Sequence, residues 1–167
     1  MRNYKVHGPF NLTGSDGVYS VTRAHVPEYG AISDKYGCYI FSTVWGAGST
    51  PVYTPWYVGK TERTFNDEIF TPHKIDKLVE LKEIRSRVGK LVVFLISPEP
   101  RQGRNNPAAL DNMETFLIGA CYKTNPMLLN RRKLPTSAWN IVGVTDLRGR
   151  GKPKVHEQAV RSMVGGR

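Results

Sequence analysis

Tyr36-Gly37-Cys38-Tyr39-Ile40-Phe41 and Trp56-Tyr57-Val58-Gly59-Lys60-Thr61 are the two stretches that decide the fold. Both are rich in aromatic and β-branched residues, which suit a pleated, half-buried surface. The first run continues to Val44. Gly46-Ala47-Gly48-Ser49-Thr50-Pro51 then breaks it, and extended structure resumes from Trp56 to Val58. The pattern predicts a hairpin closed by a long loop containing Gly and Pro. On such a hairpin Tyr39 and Tyr57 occupy adjacent strands and can project to one face. An isolated strand tyrosine is ordinarily a packing residue, and local spacing alone does not overturn that. Lys60 follows Gly59, where the backbone lets an anion approach. The segment is not a P-loop, because Thr54 stands where that motif needs its first glycine.

Further along, residues 64–71 read as a short helical turn stopped before Pro72. Thr71 is placed to cap a longer helix with Pro72 at its first position. The apolar positions Ile75, Leu78, Leu81, Ile84 and Val88 fit a helical period, and Gly89 ends it. Leu91-Val92-Val93-Phe94-Leu95-Ile96 is the clearest buried strand, bounded by Gly89 and Pro98. Asn106-Pro107 supplies a cap and a first helical residue for a helix to about Lys123, before the breaker Asn125-Pro126. Trp139 to Val144 reads as one more strand and Val155 to Val164 as a short helix. Residues 1–35 mix polar, Gly and Pro residues with short β-like pieces such as Val18-Tyr19-Ser20-Val21. They read as an irregular N-terminal extension or a peripheral hairpin.

The chain has 167 residues, enough for one domain with a core of its own. Its formal net charge is +10 and its pI about 9.8. That excess points to a polyanionic partner, with simple solubility as the plainer explanation. The longest apolar run, Leu91 to Ile96, falls far below the roughly 18–20 residues of a spanning helix. No apolar segment follows Met1-Arg2-Asn3-Tyr4-Lys5, so no secretory signal is visible and a cytoplasmic location is expected. Cys38 and Cys121 lie in apolar segments and read as reduced core residues. His7, His25, His73 and His156 are scattered without zinc-site spacing.

The helix from Pro107 carries the most unusual residue. Leu110, Met113, Leu117, Ile118 and Cys121 share one face, and Glu114 falls within it. A carboxylate there needs a cation, a donor or a raised pKa, because an unpaired buried charge is costly. A partnering Arg or Lys is one solution. The other is a hard divalent ion such as Mg²⁺, which accepts one carboxylate and keeps several waters. The basic clusters Arg131-Arg132-Lys133 and Arg148 to Lys154 either track phosphates or form solvated loops.

The order of these pieces resembles a GIY-YIG nuclease. Gly37-Cys38-Tyr39 resembles the GIY element and Tyr57-Val58-Gly59 the YIG element. Glu114, in Met113-Glu114-Thr115-Phe116-Leu117-Ile118, looks like the family's metal-binding glutamate. Asn125-Pro126 followed by Leu128-Leu129-Asn130 resembles the later asparagine-bearing segment. The resemblance spans residues 36–133 and implies an α+β fold, a small three-stranded antiparallel sheet flanked by helices. Residues 134–167 then form a C-terminal strand–helix addition.

The resemblance also implies a divalent-metal-dependent endonuclease acting on DNA, with RNA a possible substrate and one Mg²⁺ or Mn²⁺ as cofactor. Glu114 would hold the ion and Tyr39 would help activate the attacking water. Tyr57 and Lys60 would orient and neutralise the phosphate, and Asn130 would support the site. Arg63, Lys74, Arg131 and Arg132 are the expected phosphate-binding residues. One departure stands out. The family places an arginine on the first helix after the YIG element, and here that position is Asp67, beside Glu68. Arg63, His73 and Lys74 are the nearest sources of the missing charge. The alternative reading is a catalytically weak or inactive nucleic-acid-binding module on the same fold.

Overall fold

Buried Tyr4, Val6, Phe10 and Leu12 recur along β1, a strand over Asn3–Ser15. Their even spacing would put all four on one face of a regular strand. Instead, β1 shifts register between His7 and Phe10, at Gly8-Pro9. Tyr4 and Val6 therefore pack in one core and Phe10 and Leu12 in the other, on the opposite face of the sheet. Proline is tolerated within a sheet at such an irregularity. The same irregularity hides the strand in the sequence.

The computed structural model describes residues 3–15, 17–46, 50–84, 89–99, 106–130, 140–141, 144 and 153–164. After β1 come β2 (Val18–Val21), a 3₁₀ turn (Arg23–His25), α1 (Val26–Ser33), β3 (Gly37–Trp45) and β4 (Val52–Thr61). Then follow α2 (Phe65–Ile69), α3 (Pro72–Ile84), β5 (Lys90–Pro98), α4 (Pro107–Thr124), β6 (Asn140–Ile141) and α5 (Val155–Met163). Five strands run in the order β2-β1-β5-β3-β4 with every neighbour antiparallel, and β6 adds a short parallel pairing to β1.

The α+β class is as expected, but the sheet is larger than the three strands anticipated. Near the N-terminus β1 and β2 do pair as a hairpin with β2 at the sheet edge, but β1 is not irregular or peripheral, because it lies inside the sheet between β2 and β5. The hairpin, the buried strand β5 and the helix from Pro107 all stand where the sequence placed them. Asn106 caps α4 by accepting from the Ala109 amide at 3.1 Å. Of the expected strand from Trp139 to Val144, the described part is Asn140–Ile141 with Val144.

The sheet separates two cores. Leu110, Met113, Leu117 and Ile118 of α4 and Val160 and Met163 of α5 cover the face bearing Cys38, Ile40, Val58 and Phe94. Tyr29 and Ile32 of α1, Phe65 and Ile69 of α2, and Leu78 and Leu81 of α3 cover the other. That second face carries Tyr39, Phe41, Tyr57, Val93 and Leu95. Cys38 and Cys121 are both buried and free, and burial holds their thiols above the ordinary range, as inert core residues require. None of the described helices is long and apolar enough to cross a membrane.

His7 ties β1 to β5 through Ser97, with Nε2 and Oγ 3.0 Å apart. Burial, assisted by Lys5 and Lys35, lowers its pKa from 6.5 to about 4. Between those values the unfolded chain binds more protons than the folded one, so stability rises with pH through this window. The contribution is complete above the unfolded value and is lost as pH falls towards 4. Allowing for partial exposure, it amounts to about 2 kcal/mol. His7→Gln should flatten the fall in unfolding free energy between pH 6.5 and 4. An equally steep fall in the variant, measured by denaturant titration, would remove His7 as the cause.

Candidate active site

The two motif glycines are required by what lies above them. Gly37 adopts φ +154°, and a Cβ there would overlap the Ile96 carbonyl on β5. Gly59 stands opposite Tyr39 across the β3–β4 pairing. A Cβ on Gly59 would overlap the Tyr39 ring at Cζ and Oη, so the phenol lies directly over the bare backbone. Tyr57 stands two pairs further along, opposite Phe41. The rings of Tyr39 and Tyr57 stack with centroids 6.4 Å apart at an interplanar angle of 29°. The two tyrosines share a face, as the hairpin predicts.

The corner between α2 and α3 brings charge to these rings. Thr64 caps α2 by accepting from the Asp67 amide at 3.0 Å, which places Asp67 in a first helical turn where a carboxylate is favourable. Thr71 donates its hydroxyl to the Glu68 carbonyl, while its own carbonyl accepts from Lys74 and Ile75 to begin α3. Thr71 therefore joins the two helices through its backbone carbonyl, with its hydroxyl turned back to α2. Glu68 and Lys74 emerge side by side.

Four side chains then close on one another. Tyr39 Oη donates to Glu68 Oε1 at 3.2 Å. Lys74 Nζ lies 3.4 Å from the same oxygen and donates to Tyr57 Oη at 2.8 Å. Tyr39 is fully buried, whereas the Glu68 side chain is 30% exposed. Burial raises the Tyr39 pKa well beyond the ordinary phenol range, and the neighbouring Tyr57, Glu68 and Glu114 push it further the same way. A neutral, proton-donating phenol is what this position favours.

Lys60 stands apart from that cluster. It follows Gly59 on β4 and makes contacts of 2.8 Å to both Glu62 and Asp111, the latter on α4. Burial opposes its charge, but the hydrogen bonds to Asp111 and Glu62 prevail and raise its pKa. Glu114 is half-buried on α4 between the buried Met113 and Leu117, as the stripe predicts. Its charge raises the pKa of both Cys38 and Tyr39, although the buried face of α4 packs on the other side of the sheet from the tyrosine pair. Among the described residues no three His, Cys, Asp or Glu side chains converge. A lone carboxylate completed by water and substrate oxygens is a ligand set that suits Mg²⁺ or Mn²⁺ and not structural zinc.

Asn130 has a different task from proton chemistry. β4 is the edge of the sheet, and the segment after α4 covers it. Asn125 Nδ2 donates to the Pro55 carbonyl at 2.7 Å, and the Leu129 amide donates to the Trp56 carbonyl at 2.8 Å. The Asn130 side chain then accepts from the Val58 amide and donates to the Val58 carbonyl. A single amide thus imitates a paired strand beside Tyr57 and fixes that tyrosine's backbone.

Arg63 is exposed and lines a groove of about 390 Å³ with Lys60, Glu62, Asp67 and Glu68. Of Arg63, His73 and Lys74, it is Lys74 whose cation reaches the tyrosine pair. Arg131 and Arg132 lie outside the described residues. Glu68 is the member that sequence reasoning passed over, although it adjoins the position where an arginine was expected. No family model matches this chain, and neither a curated protein nor a solved structure does.

Gly59→Ala should destabilise the fold by about 1–3 kcal/mol, the usual range for overpacking a filled core. The added methyl meets a ring that is itself packed against Phe41 and Tyr57. Thermal unfolding of the variant within the error of the parent would show that the ring is not seated there.

Proposed function

We propose that this chain is a divalent-metal-dependent endonuclease that hydrolyses phosphodiester bonds in DNA, built as a divergent GIY-YIG nuclease. The observation that carries the reading is the convergence of Tyr39, Tyr57, Lys74 and Glu68 over Gly59. Structural tyrosines need only pack, yet these two bring both hydroxyls to a lysine–glutamate pair at the margin of the core. Lys74 takes the place of the missing helix arginine. Its ammonium is mostly shielded from water, with 12% of the side chain exposed, so its attraction for a phosphate oxygen is little screened.

Each residue then has a share of the chemistry. Lys74 and the Tyr57 hydroxyl it holds orient and neutralise the scissile phosphate. Glu114 would bind one Mg²⁺ or Mn²⁺, and that ion supplies charge stabilisation to the phosphate and leaving oxygen. Asn130 keeps Tyr57 in register through Val58. Arg63 and the remaining basic surface draw in the polyanion, consistent with a net charge of +10.

A second reading is favoured by one specific feature. Tyr39 is buried, already donates to Glu68 and resists ionisation, which is also what a retired catalytic tyrosine would show. On that reading the chain is a nucleic-acid-binding module whose affinity comes from phosphate contacts and falls steeply with salt.

Plasmid nicking in Mg²⁺ or Mn²⁺ separates the two. The expected result is cleavage by the parent chain and its loss in Glu114→Gln. Lys74→Met should slow single-turnover cleavage by about 100-fold, with Lys74→Arg restoring part of it. Parent-like cutting by Glu114→Gln defeats the metal assignment. Salt-sensitive binding with no cleavage by the parent selects the binding module instead.

A further inference from the structure

We propose that Glu68, not a tyrosine, is the general base, and that Tyr39 is the positioning residue that holds its carboxylate. This rests on the nuclease reading above and assigns the proton acceptor within that site.

The argument begins with access. A base must meet the attacking water, and Tyr39 has no exposed surface. Glu68 lies one hydrogen bond outward from it, is 30% exposed at its side chain and lines the groove beside Arg63 and Asp67. The direction of that bond matters as well. Tyr39 Oη is the donor and Glu68 Oε1 the acceptor, so the phenol proton already points at the carboxylate. A phenol that donates to a carboxylate oxygen fixes the direction in which that carboxylate faces. Lys74 acts on the same oxygen from α3 at 3.4 Å and keeps it from turning away.

The groups facing Glu68 come from every side. Tyr39 on β3 donates to it and Lys74 on α3 pairs with it. Tyr57 on β4 is linked to it through Lys74, and Lys60, Glu62, Arg63 and Asp67 share its groove. Glu114 on α4 acts on the Tyr39 phenol behind it.

The step balances simply. A lone pair on the water oxygen forms the new bond to phosphorus while the water proton passes to Glu68. The bond from phosphorus to the leaving oxygen breaks, and that oxygen takes the electron pair and a proton from solvent. Glu68 then returns its proton to water through the groove. Tyr39 remains protonated throughout.

Single-turnover cleavage by the parent, Glu68→Gln and Tyr39→Phe across pH 5–9 in Mg²⁺ tests this, with circular dichroism confirming that each variant is folded. Gln keeps an acceptor for the Tyr39 hydroxyl but cannot take a proton. Glu68→Gln should therefore lose about 100-fold or more, within the usual range for general base catalysis. Its rate should also rise with hydroxide through the region where the parent is level. Tyr39→Phe should retain a measurable rate and the parent's shape of profile. A Glu68→Gln rate within threefold of the parent overturns the assignment. So does a slower rate with an unchanged profile, which marks a structural role only. Abolition in Tyr39→Phe with Glu68→Gln tolerated returns the role to tyrosine. Absence of cleavage by the parent in any divalent ion overturns the nuclease reading and this inference together.

Discussion

The Tyr39 ring lying on Gly59 is the contact on which the rest of the site depends. It needs two strands in one register, a residue without a side chain on the second, and a helical corner to receive the hydroxyl. Removing any of these displaces the phenol. Because Gly37 must also approach the Ile96 carbonyl on β5, the position of β3 is set from both neighbours at once. A hairpin alone would leave Tyr39 free to turn. The third strand, together with Phe65, Leu78 and Leu81 from the helices above, confines it.

Confinement has an electrostatic consequence. A buried phenol beside carboxylates is held neutral. Glu68 has access to water and Tyr39 does not. Lys74 completes the arrangement by serving Glu68 and Tyr57 together, so one cation ties a carboxylate and a phenol that lie on different elements. Lys60, by contrast, is committed to Glu62 and Asp111 at the neighbouring end of β4. Two lysines of similar promise in the sequence thus differ in what their ammonium groups touch.

The legible parts of this chain were those governed by local periodicity. The hairpin strands, the buried strand β5, the cap at Asn106, and the half-buried place of Glu114 all follow from spacing within one element. β1 was not legible, because a register shift at Gly8-Pro9 moves its buried residues from one face to the other midway. A strand that changes faces leaves no single alternation to find. The partnership of Tyr39 with Glu68 and of Tyr57 with Lys74 was illegible for another reason. Those contacts join residues 29 and 17 positions apart, and only the angle of the α2–α3 corner decides them. Asn130 shows the same limit. Its type and order in the chain were visible, but its pairing with the Val58 backbone depends on how the post-α4 segment returns along the sheet edge.

The substitution of Asp67 and Glu68 for an expected arginine gains a physical sense from this geometry. Acidic residues in the first turn of α2 suit the exposed amides there, and Thr64 already engages the Asp67 amide. A cation at position 67 would meet those amides unfavourably. Moving the positive charge to α3, as Lys74, keeps a cation at the tyrosine pair while freeing α2 to carry an acid. The exchange is a coupled one. A lysine on α3 without Glu68 would be a half-buried charge with only a phenol for a partner, and Glu68 without Lys74 would be held by Tyr39 alone. Each makes the other tolerable, and Glu68 keeps its place beside the groove.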